Sequence, residues 1–197
     1  MLAVAVCAGI GCGRKGAPEG QHALGVVAKL ESAALTDQDG RSLKAADFHE
    51  KMLVLSFFFT SCPTVCPAQA QALSNVQHRL SAALRQRVRF LSLSVDPEND
   101  TPDALKSFAI ANGADLSGWS FVRASLDDTR ALTTELAAFD PRAQGPAAPS
   151  GHTTATYLFD GHGRLMQRYA GSPLDVPRLA REIEQLDAWF QEKKDPQ

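Results

Sequence analysis

Hydrophobic and polar positions along the chain change period several times, and each change marks an element. Leu35 to Leu43 reads as a hairpin turning at Asp39-Gly40. Met52 to Phe59 is apolar except for Ser56, the pattern of a strand buried on both faces. After Pro67 the apolar residues Ala70, Leu73, Val76, Leu80 and Leu84 recur at helical spacing, and Val88 to Val95 returns to strand. Strand, helix, strand predicts a right-handed parallel crossover.

Asp96-Pro97-Glu98-Asn99-Asp100-Thr101-Pro102 is loop chemistry, with Thr101 as N-cap and Pro102 at the first position of a helix that runs to Ala111. Trp119 to Ala124 predicts a further strand and Asp127 to Phe139 another helix. Pro141 to Gly151 is rich in proline and glycine and reads as a loop. Thr153 to Phe159 and Leu165 to Tyr169 flank Asp160-Gly161-His162-Gly163 as a second hairpin, and a last helix carries Val176, Leu179, Ile183, Leu186 and Phe190 on one face. The order predicts an α/β fold: a thioredoxin-like mixed sheet flanked by helices, with an N-terminal hairpin. The segment after Phe59 and the loop at Asp96 both follow strands, so both belong at the carboxyl edge of the sheet, where such folds place their sites.

Composition narrows the partners. The 197 residues are 44% hydrophobic with a net charge of -2, so there is chain enough for one core and no basic field for nucleic acid. The run Arg85, Arg87, Arg89 reads as a helix C-terminus meeting a strand. Met1 to Gly11 is apolar and turns polar at Arg14-Lys15, too short to span a bilayer, which takes about 20 apolar residues. It has the form of an export signal, so residues 1–22 are expected to be a signal or membrane anchor, 23–192 the folded domain and 193–197 a polar tail. Gly11-Cys12 weakly resembles a lipoprotein cleavage site; the alternative is an ordinary signal that takes Cys7 and Cys12 away with it. Either reading leaves Cys62 and Cys66 as the mature thiols, in a compartment where disulfides form.

These two thiols carry the chemistry. Pro63 and Pro67 push the residues before them out of the helical region, so Cys62 and Cys66 are expected in a tight loop with the helix starting at Pro67. Unpaired N–H groups and the helix dipole favour thiolate there, and a thiolate binds soft metals or attacks disulfides. Helix geometry should therefore lower at least one of the two thiol pKa values. A third ligand would complete a trigonal site. His152, in Pro149-Ser150-Gly151-His152-Thr153 just before a β-branched strand, is the best candidate, with His162 as rival; His22, His49 and His78 read as bystanders. Imidazole with two thiolates suits copper as Cu(I) or Cu(II), whereas structural zinc normally closes with four ligands. The spacing argues against thioredoxin-type enzymes, whose Cys-x-x-Cys is one residue shorter, and the peroxiredoxin pattern fails for want of Thr three residues before the cysteine.

Phe-Thr-Ser-Cys62-Pro-Thr-Val-Cys66-Pro, then Ser94-Val95-Asp96-Pro97-Glu98-Asn99-Asp100-Thr101-Pro102, then His152 leading Tyr157-Leu158-Phe159-Asp160, together resemble the Sco/SenC family of copper proteins, in order and rough interval over about Leu24 to Phe190. The resemblance implies a thioredoxin-like fold, copper held by the two cysteines and the histidine, and a membrane-tethered domain outside the cytoplasmic membrane or in the mitochondrial intermembrane space. It further implies delivery of copper to, or reduction of cysteines in, the binuclear copper site of cytochrome c oxidase. One departure is Gly151, where many members carry an acidic residue before the histidine. Asp96 follows the family pattern and has two readings, a contact to the histidine loop or a partner, and a turn-former before Pro97.

The leading expectation is a copper metallochaperone serving cytochrome c oxidase subunit II or another copper acceptor. It would work on the periplasmic side of the bacterial inner membrane, anchored or exported through its N-terminus, beside a periplasmic thiol reductant. The alternatives are a thiol-disulfide oxidoreductase acting through Cys62 and Cys66, and a copper or redox sensor.

Overall fold

A computed structural model describes residues 24–136 and 154–194. Six strands, β1 (Thr36–Asp37), β2 (Met52–Phe58), β3 (Val88–Ser94), β4 (Trp119–Arg123), β5 (Ala155–Phe159) and β6 (Leu165–Ala170), form one sheet in the order β1-β4-β3-β2-β5-β6. β2 (Met52–Phe58) and β3 (Val88–Ser94) pair in parallel through α2 (Val65–Arg79) and the short α3 (Ala82–Arg85), as the strand-helix-strand pattern predicts. β4 (Trp119–Arg123) follows α4 (Pro102–Ala111) and extends the parallel set. β5 (Ala155–Phe159) returns antiparallel on the other side of β2, and β6 (Leu165–Ala170) pairs with it as a hairpin. Every residue of β2 is buried, as an apolar run beneath helices on both faces requires.

The expected N-terminal hairpin is present and short. β1 (Thr36–Asp37) bridges Ser42 across a turn in which Gly40 takes φ 74°, and then joins the antiparallel edge of β4. Ahead of it lies a helix that the hydrophobic pattern did not suggest, α1 (Leu24–Ser32). Its reason is packing: Val26, Leu30 and Ala33, spaced four and three apart, join Leu53, Leu55, Phe57, Leu91, Leu93, Val122 and Leu132 in one apolar layer. α5 (Leu126–Glu135) covers the same face. The opposite layer is built by α2, α4 and α6 (Val176–Lys194) on Val54, Phe58, Phe90, Trp119, Phe121 and Leu158. α6 buries Leu179, Ile183 and Leu186 from the predicted face.

Three local expectations are corrected. The helix after the cysteines begins at Val65, two residues before Pro67, because a first-turn N–H has no partner inside the helix and proline there removes nothing. The apolar series through Leu84 is two helices: Leu80 turns extended at ψ 139°, and Ser81 caps α3 by accepting the Leu84 N–H. The helix predicted over 127–139 is described from Leu126 to Glu135, and residues 137–139 lie outside the described residues. Thr101 and Pro102 begin α4 as read, the threonine hydroxyl accepting from Ala104 N. The arginine run is engaged within the fold: Arg87 makes a two-pronged ion pair with Asp187 of α6 at 2.6 and 2.7 Å, and Arg89 donates to Ser120 at 2.8 Å.

Candidate metal centre

β2 ends at Phe58, and the chain turns at once, the Cys62 N–H donating to Phe59 O at 3.3 Å. Thr64 is the N-cap of α2 by position, yet its side chain caps nothing. The cap is sulfur instead, since the Cys66 N–H donates to Cys62 Sγ at 3.3 Å. Cys62 therefore lies outside the helix and Cys66 in its first turn, so only Cys62 is a loop residue as expected. Both thiols are buried, at 5% and 1% exposure, beneath the exposed Ser61, Pro63, Thr64 and Val65.

This geometry splits the two thiols. Burial opposes ionisation of Cys62, but donation from the Cys66 thiol and the N–H groups of Cys66, Thr64 and Val65 outweighs it and holds its pKa below the ordinary 9.0. Cys66 goes the other way: desolvation, its donation to Cys62, and the charges at Cys62 and Asp100 push it up to about 12, against an opposing contact from the Phe59 backbone. The expected lowering of a thiol pKa at the helix N-terminus thus holds for Cys62 and is reversed for Cys66, which lies deeper.

Asp96 adopts the turn-forming reading among its described contacts. Its carbonyl accepts from the N–H groups of Asn99 and Asp100, and its carboxylate accepts from the Asn99 amide at 2.8 Å. The carboxylate that reaches the cysteine turn is Asp100, which the sequence reading treated only as loop. It is buried at 1% exposure and accepts from Thr60 N at 3.1 Å, Thr60 Oγ1 at 2.5 Å and Ser94 Oγ at 2.5 Å. Asp96 and Asp100 share one motif, and only the fold of the loop distinguishes the surface carboxylate from the buried one.

On the other side of the turn, Gln69 of α2 donates to Thr156 Oγ1 at 3.1 Å and Ala155 O at 3.4 Å, fastening α2 to the start of β5. That start lies at the cysteine edge, since Thr156 pairs with Ser56 near the end of β2. His152 and the whole of Pro141 to Gly151 lie outside the described residues. The rival His162 belongs to the opposite edge. It follows the end of β5, where Phe159 pairs with Leu53 at the beginning of β2, and its ring packs edge-on against Phe190 at 5.6 Å. His78 is tied to Ser74 O at 2.7 Å within α2. Among the described residues no group of three or more His, Cys, Asp or Glu side chains is placed to hold a metal ion, so the described part of the site is the sulfur pair. Two buried sulfurs, with the Cys62 thiol held below its ordinary pKa, suit a soft ion.

Among the described residues no helix is long and apolar enough to cross a membrane. The SCO1/SenC family model matches residues 28–187. The SCO1 protein homolog of Bacillus subtilis is 28% identical over 147 residues, covering 73% of this chain and 74% of that protein. A SCO1/SenC family lipoprotein from Bacillus anthracis is 31% identical, with TM-score 0.66 over 78% of this chain and 91% of its own. Two further structures share the fold. One is BsSco, a Sco-family cytochrome c oxidase assembly protein with a disulfide switch, at TM-score 0.64, 24% identity, and coverage of 78% and 90%. The other is Bradyrhizobium japonicum ScoI with copper bound, at TM-score 0.60, 22% identity, and coverage of 78% and 96%. The family match takes in every described element from within α1 to within α6, including the sulfur-capped turn, and on that ground the chain belongs to the SCO1/SenC family.

Proposed function

We propose that this protein carries copper as cargo on Cys62, Cys66 and His152 and transfers it to a copper-accepting protein in the assembly of cytochrome c oxidase, with the binuclear site of subunit II as recipient. The observation that carries this reading is the buried pair of interacting thiols, with Cys62 Sγ accepting the Cys66 N–H and so taking the place of the cap of α2. His152 is the third donor: it precedes Thr154 by two residues in sequence, and the β5 start that follows is fastened by Gln69 to the cysteine helix. The proposed site of action is the periplasmic face of the bacterial inner membrane, with residues 1–22 as export signal or anchor. The Bacillus anthracis relative is a lipoprotein, which supports attachment to a membrane.

Transfer proceeds by ligand exchange. Binding of Cu(I) releases two protons, Cu⁺ + 2 RSH giving [Cu(SR)₂]⁻ + 2 H⁺, and an acceptor's thiolates reverse the step by taking the ion. Oxidation to the Cys62–Cys66 disulfide removes both thiolates, so a periplasmic thiol reductant must supply two electrons before copper can load. Cys62→Ser and Cys66→Ser are each expected to abolish tight Cu(I) binding in competition with a Cu(I) chelator. His152→Ala should weaken Cu(II) more than Cu(I) and alter the sulfur-to-copper absorption band. Unchanged stoichiometry in both cysteine variants would remove the copper-transfer reading.

A second reading has its own observation. An ionisable Cys62 beside a strongly protonated Cys66 is the arrangement of an attacking thiol and a resolving one. Here Cys62 forms the mixed disulfide with a partner cystine, Cys66 displaces the partner's thiol, and the partner leaves reduced by two electrons. His152→Ala separates the readings, since thiol exchange does not use the imidazole: full reductase activity with loss of Cu(II) binding assigns it to copper alone.

A further inference from the structure

We propose that the edge of the sheet opposite the sulfur pair is a membrane-docking surface, which rests on phospholipid headgroups and so points Cys62 and Cys66 away from the bilayer. The inference rests on the reading of residues 1–22 as an anchor. The path of the chain is the first reason. α1 enters the fold at this edge, where Val27 packs so closely on the β5–β6 turn that a Cβ on Gly163 would lie 3.1 Å from its side chain. The chain then leads to β1, whose Thr36 pairs with Arg123, the last residue of β4, at the sulfur end. Gly13 to Ala23 is a tether whose reach, fully extended, is at most about 40 Å. The seven residues of β2 alone take up about 23 Å. Turning the sulfur end to the bilayer would spend more than half of the tether in running back along the sheet.

The surface itself is the second reason. Three clefts adjoin along this edge, the first two sharing Lys51 and the last two sharing Gly161 and His162. The first, of about 140 Å³, lies between Lys51, Arg85 and Gln86 and has room for a phosphate group. The ion pair of Arg85 with Asp115 is long, at 3.9 Å, a weak hold on a guanidinium. The second cleft, of about 380 Å³, has Val27, Phe48 and Leu53 in its walls. The turn beside it is fixed: Glu50 takes φ 58°, in the left-handed region, and a Cβ on Gly161 would lie 3.1 Å from its carbonyl oxygen. At the end of α6 the half-buried rings of Trp189 and Phe190 stand 4.9 Å apart, and Phe190 lines the third cleft with Arg87. Aromatic rings beside basic side chains suit the boundary between water and lipid. Glu31, Glu50 and Asp115 offset the cations, so the contact is local to the Lys51–Arg85 cleft and is not drawn by a net field. The sulfur edge is of the other kind: Glu98, Asp103 and Asp127, exposed just before or in the first turns of α4 and α5, would meet headgroup phosphates with like charge.

The test uses the full chain reconstituted into vesicles of phosphatidylethanolamine and phosphatidylglycerol whose acyl chains are brominated next to the headgroup. The chain has two tryptophans, Trp119 in the core and Trp189 at this edge, so bromine should quench part of the emission in the wild type and none of it in Trp189→Phe. Lys51→Glu combined with Arg85→Glu should relieve at least about half of that quenching, since both changes place like charge in the phosphate cleft. Thiol labelling of Cys62, followed by peptide mapping, should run at the same rate in vesicles as in detergent. No quenching of Trp189, quenching that ignores the charge reversal, or protection of Cys62 by vesicles overturns the proposal. A Trp189 emission shift that grows with protein concentration in detergent, without quenching in vesicles, would make a second copy of the chain the occupant and overturns it equally. A full chain that fails to float with the vesicles would instead overturn the anchor reading on which the proposal stands.

Discussion

At the scale of single residues, the two cysteines are chemically unequal although their sequence settings look alike. Each stands before a proline, but one sulfur caps a helix and the other is enclosed by it. Alkylation of the reduced protein near neutral pH should therefore label Cys62 before Cys66, as peptide mapping at partial reaction will show. The raised pKa of Cys66 also has a stability consequence. Its stabilising contribution is complete below the unfolded thiol value of 9.0 and is lost as pH rises towards the folded value of about 12, because the unfolded chain ionises first. Reduced protein should lose about 1.4 kcal/mol for each pH unit above 9 through this group. Urea titrations at pH 8 and 10 should show the loss in the reduced wild-type protein and a flatter dependence in Cys66→Ser. Equal slopes would mean that the thiol is not held protonated by the fold.

Among elements, the contact that matters most for the site is the one between α2 and β5. Gln69 projects from the same helix face as Cys66, Ala70 and Leu73, so the helix that carries a sulfur also holds the strand that follows His152. Gln69→Ala strips a partner from the buried Thr156 hydroxyl, a change expected to destabilise by about 1 to 3 kcal/mol. Its functional signature should be selective: Cu(II) binding and its charge-transfer band weaken, while Cu(I), held linearly by two sulfurs, is retained. Equal loss of both ions would show that the contact supports the cysteine turn alone.

For the whole molecule, the sheet order sets the sulfur pair at one end and the His162 turn at the other, with a buried apolar layer on each face between. Binding at the cysteine end is coupled to the stability of the entire domain, since an ion that binds only the folded dithiol stabilises it by about 2.7 kcal/mol at a free concentration one hundred times Kd. Chelator-buffered Cu(I) should therefore raise the melting temperature of reduced protein and leave the oxidised protein where it was. An equal rise in both forms would place the metal away from Cys62 and Cys66.

By itself the sequence determined what short-range chemistry decides. Alternation and helical spacing marked β2, β3, β4, the hairpin at Asp160-Gly161, and α6, and two prolines with two cysteines marked a strand-to-helix turn able to hold a soft ion. These signals depend on neighbours a few residues away. Tertiary structure decided the rest, because it depends on residues far apart in the chain. Thr60 and Asp100 are 40 positions apart, and no local pattern says that Asp100 is buried against the turn while Asp96 stays in its own loop. α1 was missed for the same reason: its short apolar stripe gains meaning only from the layer it completes against β2, β3 and β4. The inequality of the thiols likewise arises from packing, since ionisation follows how many N–H groups reach each sulfur and how much water is kept from it.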